Sequence, residues 1–186
     1  MYLLWTIGLG ATNRIIYMAC NNETASILNA AIYQIFLTSW AGYNIWTGTN
    51  NTAIDNSMIG YYLYDTISLL IQHSQYEYIL HHFIALYLIY LHNTYYIAPF
   101  FYRNIMYFLM ELSACMLNWL ELLNNYKVIT YYVYGTTRCI IYPIYIVEYL
   151  RTYYEPVWYH NVHVFLLLII YVMSNIYMFV SIKNLT

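Results

Sequence analysis

Gly60 to Asn118 reads GYYLYDTISLLIQHSQYEYILHHFIALYLIYLHNTYYIAPFFYRNIMYFLMELSACMLN, and the reading of this stretch decides the fold. It is apolar enough to sit in a bilayer, yet Asp65, His81, His82 and Glu111 lie inside or at the ends of its apolar runs. Ionisable groups are costly in hydrocarbon, so those found there line a cavity, pair with one another or carry chemistry. Function is to be sought in this stretch first.

Composition agrees. The chain has 186 residues, 62% of them hydrophobic and 8% charged, with a mean hydropathy of +0.49. A soluble domain carries about 25% charged residues. So few charges cannot clothe a water-facing surface, and the expected fold is an all-α, multi-pass transmembrane bundle forming one domain. The basic residues Arg14, Arg103, Lys127, Arg138, Arg151 and Lys183 are scattered and the net charge is −2, which leaves no patch for nucleic acid. Cys20, Cys115 and Cys139 have no paired spacing, which argues against a disulfide framework or a metal site. The 27 tyrosines are a bias of the whole chain and are expected as interfacial anchors or lining of the bundle interior.

In chain order, Met1–Cys20 is a weak first helix, interrupted by Thr12, Asn13 and Arg14 and lacking a basic leader region. Ala25–Ala41 is a cleaner span that Gly42 should end, and Gly48–Ser57 is a polar loop. Met58–Gln72 and Tyr78–Leu91 are short for perpendicular crossings and are joined through His73-Ser74-Gln75-Tyr76-Glu77. A long helix should run from Tyr96 to Leu123, turning at Asn124-Asn125, and the next from Val128 to Leu150 with a kink at Pro143. Val162–Ile182 is the most uniformly apolar span. About seven helices result, with sequons at Asn22 and Asn50 on opposite sides.

Helical spacing sorts the polar groups. Tyr61, Asp65, Ser68 and Gln72 share one face, either a packing stripe or the wall of a cavity. His81 and His82 point about 100° apart, so one can face a cavity while the other braces a neighbour. Two adjacent histidines do not have the spacing of metal ligands on a helix, and interfacial solvation would also account for them. Asn104, Phe108, Glu111, Cys115 and Asn118 form one continuous face, with Glu111 near mid-span and Arg138 as its expected partner. Tyr131, Tyr142, Tyr145 and Tyr149 continue the face of Arg138. Asn175 and Ser174 are the polar groups near the middle of the last helix and suit helix–helix hydrogen bonding.

Taken in order, Gly60-Tyr61-Tyr62-Leu63-Tyr64-Asp65, Leu80-His81-His82, Glu111-Leu112-Ser113 with Asn118, Thr137-Arg138 with Pro143, and Asn175-Ile176-Tyr177 resemble the TLC-domain family. That is the membrane domain shared by ceramide synthases and the translocating-chain-associated membrane protein. The similarity covers about residues 25–184. It implies a helical bundle in an endoplasmic-reticulum-type membrane, membrane lipids as partners, and no bound cofactor, with acyl-CoA as co-substrate if the protein is an enzyme. His81, His82 and Asp65 would be catalytic; Tyr61, Glu111, Ser113, Asn118, Arg138 and Asn175 would bind substrate. The chain departs from the pattern at Asn29, where family members often carry histidine, and in lacking the His-Asp-x-Ser-Asp segment of ceramide synthases. It therefore looks like the branch outside them.

A purely structural bundle, whose polar groups only fix helix packing, is one reading, and the histidine pair with Asp65 and Arg138 argues against it. Two functional readings stand beside it. One is transfer of a fatty acyl group from a thioester to a lipid amine or hydroxyl, with a histidine as base and Asp65 orienting it. The other is non-catalytic binding or sensing of lipid in the same hollow, regulating membrane composition. Both require a hollow edged by the imidazoles and the aspartate.

Overall fold

The computed structural model describes residue 8 and residues 22–49, 52–71, 76–123 and 127–183. The weak first helix over Met1–Cys20 lies outside the described residues but for Gly8, as do His73-Ser74-Gln75 and Asn124-Asn125. The rest is all-helical: α1 (Asn22–Thr47), α2 (Ala53–Ile71), α3 (Tyr76–Tyr95), α4 (Phe100–Leu123), α5 (Lys127–Gly135), a π-helical segment Thr136–Ile141, α6 (Tyr142–Thr152) and α7 (Trp158–Lys183). No strand occurs among the described residues.

Several boundaries differ from the sequence expectation. At Asp55 and Asn93 the reason is that polar residues which would mark turns at a watery surface are bonded inside helices. α1 runs through Gly42 to Gly48, which has φ +65° and ends it in the left-handed conformation glycine tolerates. α2 begins at Ala53 rather than Met58, because Asp55 sits buried in its first turn. α3 continues past Asn93 and Thr94 to Tyr95. α4 starts at Phe100, just after Pro99.

Pro143 does more than kink its helix. Lacking an N–H, and with a ring that would strike the carbonyl four residues back, it is preceded by the wider π ladder of Thr136–Ile141. There the Tyr142 N–H reaches Thr137 O, five residues back. Such insertions recur at functional sites, and this one carries Arg138. α5, the π segment and α6 follow one another as a single stretch from Lys127 to Thr152.

α1 and α4 make the most extensive pairing. The predicted α4 face largely explains it: Asn104 accepts from Asn44 (3.3 Å), Asn118 donates to Gln34 (2.7 Å), Cys115 meets the Ala31 carbonyl (3.9 Å), and Phe108 packs where Gly42 has no side chain. Glu111 departs from that face and reaches α2 instead, through Tyr62.

Among the described residues, ionisable groups are turned into a core that is otherwise mostly apolar, while many large apolar side chains face outward. Asp55, Arg103, Glu111, Arg138, His82, His92 and His163 are buried. Exposed instead are Leu63, Ile67 and Leu70 on α2, Leu80, Phe83, Tyr87 and Tyr90 on α3, Ile144 and Val147 on α6, and Phe165, Leu168, Val172 and Ile176 on α7, at three- and four-residue spacing. Within α7, Trp158–Ile176 is long and apolar enough to cross a membrane, with a mean hydropathy of 1.4.

Candidate functional site

Asp65 and Thr66, neighbours on α2, both meet His82 of α3. His82 Nε2 lies 3.5 Å from Asp65 Oδ2, and its Nδ1 lies 3.3 Å from Thr66 Oγ1. This geometry is compatible with the tautomer in which Nε2–H faces the carboxylate and Nδ1 accepts from the threonine hydroxyl. The ring is buried and rests 5.3 Å from that of Tyr62, so solvation does not account for it. His81, half-buried, packs edge-on to His82 at 5.9 Å, and no hydrogen bond is found for it among the described residues.

Next to this pair, Tyr62 OH donates to Glu111 Oε1 at 2.8 Å. Arg138 was expected to pair with Glu111 directly; it does not. Its Nε donates to Ser113 Oγ (2.6 Å), Nη1 to Ser174 Oγ (3.3 Å) and Met110 Sδ (3.0 Å), and Nη2 to the Met110 carbonyl (3.0 Å). The reason is local. The π segment directs Arg138 into α4 at Met110 and Ser113, while Glu111, one residue on, turns towards α2.

The remaining expected site residues are dispersed. Tyr61 is buried and stacks on Tyr33 at 4.3 Å, and Tyr33 shares a hydrogen bond with Ser57. Asn118 is held by Gln34, and Asn175 donates to the Tyr171 carbonyl of its own helix (2.8 Å). The Arg138 face does extend through Tyr142, Tyr145 and Tyr149, all buried. Among the described residues, neither His81 nor His82 lines the two voids found. The void next to Tyr62, between Met58, Leu88, Met106 and Met110, is about 20 Å³, room for about one water.

A second polar region lies at the other end of α3. Arg103 Nη1 meets Asp55 Oδ2 (3.2 Å) and donates to Asn93 Oδ1 (2.8 Å), and Tyr107 OH donates to Asp55 Oδ1 (2.9 Å). His92 and His163, both almost fully buried, approach Nε2 to Nε2 at 3.0 Å, with their Nδ1 atoms unpartnered. Two histidines this close would suit a metal, but no third ligand joins them among the described residues. Neither Nδ1 has the acceptor that a ligating imidazole needs behind it. A hydrogen bond between opposite tautomers fits better. None of these residues was singled out as a site from sequence. The available signal was Tyr107, one turn before Glu111, and Asp55, two turns before Tyr62, on faces that proved to be buried.

Comparison with family models, with curated proteins and with solved structures returns no match for this chain.

Proposed function

We propose that the chain is a multi-pass membrane protein of TLC type that transfers a fatty acyl group from acyl-CoA to a lipid amine or hydroxyl. The observation that carries this reading is His82 held between Asp65 and a hydroxyl. Asp65 orients the ring through Nε2–H, leaving Nδ1 as the base, and Thr66 Oγ1 marks where an acceptor hydroxyl or amine would stand. As that group attacks the thioester carbonyl, its proton passes to Nδ1, and the departing thiolate takes it up. His81, half-buried and adjacent, borders the approach.

The outward apolar stripes on α2, α3, α6 and α7, with ionisable groups turned inward, support several membrane crossings. A hydrogen-bonded interior under an apolar exterior is the arrangement a bilayer favours and water does not. An endoplasmic-reticulum-type membrane is the setting the resemblance implies.

One observation favours a second reading, in which the protein binds or senses lipid without chemistry. Both nitrogens of His82 are engaged, and the void on the far side of Tyr62 is about 20 Å³, too small for an acyl chain without rearrangement. Expression in cells lacking ceramide synthase separates the two. A new acyl-lipid product that falls by roughly 10²-fold or more in His82→Ala and is reduced in Asp65→Asn is the expected result. A lipid shift that persists in both His81→Ala and His82→Ala would overturn catalysis in favour of binding.

A further inference from the structure

A cavity of about 610 Å³ opens where the connections 96–99 and 153–157 meet. It lies about 20 Å along α3 from His82, thirteen residues before Tyr95 at 1.5 Å each. Its volume falls within the usual range for small-molecule sites. We propose that it binds a zwitterionic amino-alcohol phosphate, of the kind borne by phosphatidylcholine and phosphatidylethanolamine or present as the free phosphoester.

Two residues of its lining, His160 and Arg103, retain a donor that no partner within the described residues takes. His160 Nδ1 lies 3.4 Å from the Glu155 backbone N–H, which can only donate, and 2.7 Å from Tyr149 OH. That nitrogen is therefore the acceptor, and the ring proton sits on Nε2. Arg103 has Nη1 taken by Asp55 and Asn93 and Nε buried, which leaves Nη2 as the nitrogen to meet a ligand. Together the two donors suit the oxygens of a phosphate.

The rest of the lining suits a cation. Glu155 is exposed, with no side-chain hydrogen bond found among the described residues. The aromatic residues Tyr95, Tyr153 and Tyr159 line the same cavity, with Tyr95 and Tyr159 stacked at 4.6 Å. Aromatic faces with a carboxylate nearby recognise alkylammonium groups. Asp55 already offsets the charge of Arg103, so Glu155 disfavours a bare anion. A bare cation would leave the Arg103 and His160 donors unmet. A molecule bearing both charges satisfies both sets. This inference rests on neither catalysis nor the His82 geometry.

The test uses the full chain in detergent, with native mass spectrometry of retained lipid. Phosphatidylcholine is offered against phosphatidylglycerol of the same acyl chains, and free phosphocholine is added as competitor. The variants are Glu155→Gln and Tyr159→Ala, each checked for an unchanged helical circular-dichroism spectrum. Glu155 is exposed, so its variant keeps the fold. The expected result is about tenfold preference for phosphatidylcholine, reduced about fivefold in Glu155→Gln. Displacement by phosphocholine would identify the head group as sufficient. Retention without displacement would make the intact lipid the ligand. Equal retention of both lipids, or a preference unmoved in Glu155→Gln, overturns the proposal and leaves an aromatic rim of the interfacial kind.

Discussion

Arg138 shows how a single buried cation is held without a carboxylate in contact. Ser113 Oγ accepts from its Nε while donating to the Met110 carbonyl, and that same carbonyl accepts from Nη2. Ser174 brings α7 into the same group. Arg138→Met keeps the volume but removes all of these donors at once, so Ser174 Oγ loses its arginine and α7 its link to the π segment. The expected loss is about 1–3 kcal/mol of stability, read as a lower melting temperature of the purified chain in detergent. Arg138→Lys should recover only part of it, since one ammonium cannot span a serine on each of two helices and a carbonyl as the guanidinium fork does. The sequence located Asp65, His82, Glu111 and Arg138 because an ionisable group in an apolar run stands out. It did not locate their partners Tyr62 and Thr66, whereas Ser174 is legible as a helix–helix hydrogen-bonding group and does meet Arg138. With 27 tyrosines in 186 residues, another tyrosine carries no signal, and one hydroxyl among apolar neighbours reads as ordinary helix packing.

At the scale of the helix, α1 offers two glycines with opposite expected behaviour. Gly42 lies inside the helix, and a Cβ there would meet the Phe108 ring at 3.5 Å, an ordinary contact. Gly42→Ala should therefore stabilise by about 0.5–1 kcal/mol through lower backbone entropy in the unfolded chain. Gly48, at φ +65°, ends the helix in a conformation that side chains strain, and Gly48→Ala should destabilise by about 1 kcal/mol. Thermal unfolding of the pair gives both signs in one experiment, and the same sign for both would place the end of α1 elsewhere. These two positions also show why helix ends were less legible than helices. The existence of each apolar segment followed from composition and periodicity. Its expected limits at Gly42, at the Gly48–Ser57 loop and at Asn93-Thr94 fall partly or wholly inside helices: Gly42 against Phe108, Asp55 of that loop bonded to Arg103 and Tyr107, Asn93 bonded to Arg103. Polarity marks a loop only when water is the alternative partner.

For the whole molecule, the decisive feature is the alternation of direction along the chain. α1, α3 and the stretch from α5 to α6 each end where α2, α4 and α7 begin, so the connections 48–52, 96–99 and 153–157 follow helices of one direction. α1 and α4 confirm the antiparallel sense, since Gln34 meets Asn118 while Asn44 meets Asn104. If each of these helices crosses the bilayer, the three connections face one compartment and the end of α7 faces the other. Single cysteines at Thr49, Tyr96 and Tyr154, all exposed, report this in a background with Cys20, Cys115 and Cys139 replaced by alanine. In sealed vesicles all three should label with an impermeant maleimide from the same side, and a cysteine added after Thr186 from the other. The chain should also stay with the membrane through alkaline carbonate extraction, because Leu63, Phe83, Ile144 and Leu168 would otherwise expose their stripes to water. Labelling of Thr49 and Tyr154 from opposite sides would break the alternating bundle. Release by carbonate would remove the bilayer from the account altogether, and with it the reason for burying Asp55, Arg103, Glu111 and Arg138 beneath an apolar exterior.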